Sequence, residues 1–90
     1  MSDYCSGEGM LTHVWGPGLW HFLHTMSFNY PVHPSPVQKK DYKSFMRSLT
    51  RVLPCGKCRT NLAKNYENFP LHDKVFQSRD KFSRYLYRLH

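Results

Sequence analysis

The first 38 residues of this 90-residue chain contain no lysine or arginine; all 13 basic residues lie at or after Lys39. That opening segment, charged only at Asp3 and Glu8, lacks the basic n-region and apolar h-region of a secretory signal. Apolar runs are short throughout, well below the ~18–20 residues that span a bilayer, so a membrane-spanning helix is excluded. Cysteine is scarce and odd in number, three in all, which argues against a secreted disulfide scaffold. No internal repeat, low-complexity tract or two-residue strand alternation occurs. Collagen, coiled-coil and large multidomain classes fall with them.

What remains is 40% hydrophobic and 16% aromatic, a composition for a packed core rather than for disorder. A chain this short buries only roughly 60–65% of its unfolded surface. One domain is expected, with a cofactor, metal, disulfide or second subunit adding support. The charge is divided, −2 before Lys39 and +9 from there on, for a net +7. A basic C-terminal half suits nucleic acid, an anionic lipid surface or a phosphate-bearing cofactor, and equally a plain solvated face.

Residues 1–13 read as a flexible leader and 14–90 as the folded domain. Trp15, Leu19, Phe22, Leu23, Met26 and Tyr30 recur at helical spacing, with Pro17 placed for a first turn. Tyr30-Pro31 and the prolines at 34 and 36 end that helix. Ser35-Pro36 restarts one, as an N-cap followed by a first-turn proline. Tyr42, Phe45, Met46, Leu49, Val52 and Leu53 then form an amphipathic stripe against Lys39, Lys40, Lys43, Arg47 and Arg51. A third helix is expected over roughly 55–66 and a loop over 68–77. The last helix is capped by Ser78, with Phe82, Tyr85, Leu86 and Leu89 inward. The expectation is an all-α four-helix bundle.

Pro54-Cys55-Gly56-Lys57-Cys58 sets two thiols three residues apart at a helix start. Positions i and i+3 share a face, close enough for a disulfide. The helix N-terminus, Lys57 and Arg59 all favour a thiolate, which is what thiol–disulfide exchange needs. The first thiol of such a pair is expected to be the more exposed, with the second turned toward the bundle. A zinc half-site or a structural pair stays open, although no second CxxC or paired histidine motif completes a four-ligand set. A thioredoxin motif is disfavoured because no βαβ pattern surrounds the cysteines. Cys5 is left as a bystander thiol or as the donor of a mixed disulfide.

Taken together, Trp15-Gly16-Pro17-Gly18-Leu19-Trp20-His21-Phe22-Leu23-His24, Tyr30-Pro31, Leu53-Pro54-Cys55-Gly56-Lys57-Cys58-Arg59 and the segment Ser78 to His90 resemble the Erv/ALR family of FAD-dependent sulfhydryl oxidases. The compact form is most similar to versions encoded by large DNA viruses. The resemblance implies a four-helix bundle with a short fifth helix, holding FAD non-covalently. This chain stops at His90, the first residue of the family's HNxVNxxxxK clasp, so the fifth helix is expected to be missing. The implied roles are Cys55 as the interchange thiol and Cys58 as the thiolate facing the flavin. Trp15, Gly16, Trp20, His24, Tyr30, Tyr85 and His90 are the implied cofactor contacts, and no metal is expected. The implied reaction oxidises protein dithiols and passes electrons through FAD to molecular oxygen, giving hydrogen peroxide. A homodimer without membrane attachment is implied, in a host cytoplasm or virion, or alternatively the mitochondrial intermembrane space. The alternative function is a basic helical nucleic-acid- or metal-binding module with a structural CxxC.

Overall fold

The computed structural model describes residues 12–90, with side chains from Val14 onward. The expected leader, with Cys5, lies outside the described residues except for the backbone of its last two positions, 12 and 13. Four helices follow: α1 (Thr12–Phe28), α2 (Pro36–Val52), α3 (Gly56–Asn68) and α4 (Arg79–Leu89). A single 3₁₀ turn, Asp73–Phe76, lies between α3 and α4, and no strand occurs among the described residues. No described helix is long and apolar enough to cross a membrane.

Local chemistry fixes most of these boundaries. Ser35 caps α2 with a complete capping box: its hydroxyl accepts from the Gln38 amide while the Gln38 side chain accepts from the Ser35 amide. Pro36 fills the first helical position, where a missing N–H costs nothing. Ser78 caps α4 by accepting from the Lys81 amide, and Asp80 sits in the first turn, where the helix dipole favours a negative charge. Pro17 departs from expectation. The helix begins at Thr12, which places this proline in the second turn rather than the first. As the sixth helical residue it lies beyond the four N-terminal positions that need no partner, so its missing amide forfeits one helical hydrogen bond.

α1 packs on α4 and α2 on α3, while the 3₁₀ turn bridges α2 and α4. The core holds Leu23, Tyr30, Met46, Leu49, Leu62, Phe76 and all four residues expected on the inner face of α4. Tyr30 is its centre, with edge-on contacts to Tyr42 and Phe82 at centroid distances of 4.7 and 5.0 Å. Its hydroxyl donates to the Phe76 carbonyl, and Arg79 Nε donates to the Tyr30 carbonyl. Tyr66 donates to Met46 O and Tyr85 to Phe69 O. Each buried hydroxyl thus ties two elements together. Burial pushes the phenols of Tyr30 and Tyr85 up to about 12, Tyr42 adding to the effect at Tyr30.

Three inward expectations turn outward: Phe22, Phe45 and Val52, the last at the C-terminal end of α2. Phe22 and Phe45 meet each other edge-on at 6.3 Å on the surface, Phe22 remaining 54% exposed. They continue the apolar stripes of α1 and α2 past the width the core can cover. The segment expected as loop contributes Phe76, which is fully buried beneath α2 and α4.

Candidate active site

The turn between α2 and α3 carries the two cysteines. Pro54 cannot continue α2, and Cys55 adopts an extended conformation as the N-cap of α3. Its sulfur accepts a hydrogen bond from the Cys58 amide at 3.2 Å, so the thiol is the group that satisfies a backbone donor at this helix start. Arg59 reaches back across the turn and donates to the Leu53 carbonyl. The result reverses the expected exposure: Cys55 is buried at 6% exposed, and Cys58 is the more accessible of the two. The capping bond draws the first sulfur inward under the turn. The second sits on the first turn of α3, facing a gap between helices.

That gap is a cavity of about 210 Å³ walled by all four helices. α1 supplies Trp15, Gly16, Leu19, Trp20 and Leu23; α2 and the turn after it supply Met46, Leu49 and Leu53. α3 supplies Cys58, Asn61, Leu62, Asn65 and Tyr66, and α4 supplies Leu89. The wall is largely apolar and contains no lysine or arginine. Cys58 places one thiol on it, and two exposed amides, Asn61 and Asn65, stand at its rim.

Trp20 leads outward from the cavity. The His90 ring stacks on it, with centroids 4.2 Å apart and planes within 4°. His24 Nε2 lies 3.1 Å from His90 Nδ1, a hydrogen bond that requires at least one ring to be neutral. Burial and the neighbouring His90 both hold the His24 pKa below its ordinary value. The structure therefore gathers Trp15, Gly16, Trp20 and Cys58 on the cavity and His24 and His90 at its outer edge. Tyr30 and Tyr85 do not reach it: their hydroxyls are committed to backbone carbonyls and neither lines the cavity. Asn61 and Asn65 escaped the sequence reading. Counted from Cys58 they fall at i+3 and i+7 with Leu62 at i+4, a helical stripe that would have found them.

A second depression lies on the other side of the CxxC turn. Thr50, Gly56, Lys57, Arg59, Thr60, Asn61 and Ala63 line an open cleft of about 800 Å³. The motif thus stands between an apolar cavity, touched by Cys58, and a polar cleft, touched by its two central residues. Among the described residues no cluster of histidine, cysteine or acid side chains is arranged to hold a metal ion.

Residues 17–90 match the Erv1/Alr family model. The chain belongs to the Erv1/Alr family. Within it, a mimivirus protein named as a probable FAD-linked sulfhydryl oxidase (Acanthamoeba polyphaga mimivirus) is 38% identical over 84% of this chain and 53% of its own length. A protein of Invertebrate iridescent virus 6 named as a putative FAD-linked sulfhydryl oxidase is 27% identical over 87% of this chain and 74% of its own length. The mitochondrial FAD-linked sulfhydryl oxidase of Schizosaccharomyces pombe is 36% identical over 64% of this chain and 34% of its own length. The chain spans about half the length of the mimivirus relative and a third of the yeast one. The all-helical architecture accords with membership, and the Erv1/Alr match covers every residue of the CxxC, the cavity wall from Leu19 onward and the Trp20–His24–His90 cluster.

Proposed function

We propose that residues 14–90 form an FAD-dependent thiol oxidase domain that makes disulfides in protein substrates. One observation carries this reading: the second thiol of a helix-initial CxxC lies on the wall of an apolar cavity shared by all four helices. The cavity fits a flat aromatic ring system. At about 210 Å³ it is smaller than the ~300 Å³ at which pockets for drug-sized ligands begin, so a whole dinucleotide would extend beyond it. Trp15, Gly16, Leu19 and Leu62 would hold the ring beside Cys58, and the Trp20–His24–His90 cluster would meet the part of FAD that emerges.

In the oxidised form, Cys55 and Cys58 share a disulfide. A substrate thiolate attacks Cys55 Sγ; the S–S bond breaks and its electron pair leaves on Cys58, with a Cys55–substrate mixed disulfide formed. A second substrate thiolate attacks the substrate sulfur of that bond, forming the substrate disulfide and releasing Cys55. Two protons are lost from the substrate dithiol, and two electrons now reside on the cysteine pair. FAD, when bound, supplies a two-electron acceptor beside Cys58, with molecular oxygen and two protons leaving as hydrogen peroxide. The chain's own contribution is to hold Cys58 at the cavity and to set Cys55 beside it as the N-cap of α3. Because Cys55 is buried at the N-cap of α3, exchange requires its sulfur to become exposed.

The exposed Phe22–Phe45 pair, beside Met26 and Tyr42, supports a homodimer through α1 and α2. Viral relatives support a host cytoplasm or virion, while the mitochondrial relative supports the intermembrane space as the alternative. The test is reconstitution with FAD, followed by absorption in the flavin bands and oxygen uptake on addition of dithiothreitol. Wild-type protein gains bound flavin and consumes oxygen with peroxide formed; Cys55→Ser and Cys58→Ser stay folded and lose turnover. Turnover retained in both variants would remove the mechanism.

A further inference from the structure

We infer that the cleft beside the CxxC turn selects substrates whose reactive dithiol is flanked by acidic residues. This deepens the thiol-oxidase reading and rests on it. Between Asp41 and Glu67 the chain has no carboxylate, yet it carries Arg51, Lys57, Arg59 and Lys64 around the cysteine pair. Lys57 and Arg59 line the cleft; Arg51 adjoins its wall residue Thr50, and Lys64 follows Thr60 by one helical turn. Arg51, Lys57 and Lys64 are exposed, and Arg59 is half-buried.

None of the four makes an ion pair among the described residues. The two ion pairs there lie elsewhere, Lys43 with Asp73 and Arg84 with Asp80. The basic charge at the cysteines is therefore uncompensated by ion pairs among the described residues. Gly56 and Lys57, the two residues between the cysteines, form part of the cleft floor. A chain lying in the cleft is held against the motif, with its own side chains beside Lys57 and Arg59 and within the field of Arg51 and Lys64. An extended acidic segment satisfies that arrangement, and a basic one is repelled by it. The sign of the field, rather than a shaped pocket, makes the selection, so its reach is set by ionic strength.

The experiment uses the FAD-loaded protein and three dithiol substrates: dithiothreitol, and two Cys-x-x-Cys peptides flanked by glutamates or by lysines. The readout is kcat/KM from oxygen uptake, taken as the ratio of acidic to basic peptide, so that any change in thiol reactivity cancels. At about 20 mM salt the ratio is expected at roughly tenfold or more, falling toward unity near ~300 mM. Lys57→Glu combined with Arg51→Glu should bring the low-salt ratio to one or below. Equal kcat/KM for the two peptides at low salt, with dithiothreitol oxidised normally, overturns the inference and leaves the oxidase reading standing. Failure to oxidise dithiothreitol removes both. A single-stranded DNA oligonucleotide that displaces the acidic peptide at lower concentration than polyglutamate would reassign the cleft to nucleic acid and overturn the inference too.

Discussion

Replacing Tyr30 by phenylalanine separates a core role for this residue from a cofactor contact. Its hydroxyl is fully buried (0% exposed) and donates to the Phe76 carbonyl at 2.5 Å, joining the end of α1 to the 3₁₀ turn. The substitution deletes one donor and leaves a buried acceptor without it, at a cost of about 1–3 kcal/mol. The ring is retained, so the edge contacts with Tyr42 and Phe82 persist and no cavity penalty is added. In a domain of this size each kcal/mol moves Tm by about 4–8 °C, so a drop of roughly 8–15 °C is expected near the middle of the range. Thermal unfolding followed by circular dichroism at fixed excess FAD gives the shift; flavin titration of the folded variant gives its affinity. Because Tyr30 is not on the cavity wall, the dissociation constant should change by less than about twofold. A variant with wild-type Tm and a tenfold loss of flavin affinity would refute the core assignment.

Ser35→Ala removes one half of the α2 capping box and should cost about 1 kcal/mol, with Ser35→Asp restoring most of it; a denaturant midpoint series reads both. Arg59→Ala frees the Leu53 carbonyl and loosens the turn over Cys55. Losing a charged hydrogen bond of about 1.5 kcal/mol should raise Cys55 alkylation about tenfold relative to Cys58 in reduced protein, by peptide mass mapping, and an unchanged ratio would show that another contact holds the turn shut. His24 has a depressed pKa in the folded state, so its contribution is complete above the unfolded value near 6.5 and declines as pH falls below it. Wild type should therefore lose Tm faster than His24→Gln between about pH 7 and 5.5, and parallel slopes would contradict the half-buried, neutral assignment.

Much of this molecule is legible where a local device and a periodic stripe agree. Ser35-Pro36 followed by Met46, Leu49 and Leu53 specifies α2 from both its cap and its face, and Ser78 with Phe82, Leu86 and Leu89 does the same for α4. The CxxC is placed correctly at a helix start because Pro54 ends one helix and the next begins at Gly56. The 3₁₀ turn escapes because four residues are too few to show a period; only packing reveals that Phe76 is core. The inverted exposure of the cysteines arises from a single sulfur–amide hydrogen bond and a guanidinium reaching back six residues, neither of which has a sequence pattern. The backbone bonds of the Tyr30 and Tyr85 hydroxyls, to Phe76 and Phe69, likewise have no sequence pattern.

The cavity has no wall that belongs to one helix alone; α1, α2, α3 and α4 each contribute a side chain to it. A molecule seated there touches every helix at once and binds only when all four are in place. Ligand and fold are then a single equilibrium, in which flavin at about 1,000 times its dissociation constant would add about 4 kcal/mol to stability. Scarcity of the vitamin from which FAD is made would accordingly reduce how much of this protein survives proteolysis, rather than leave an intact pool waiting for its cofactor.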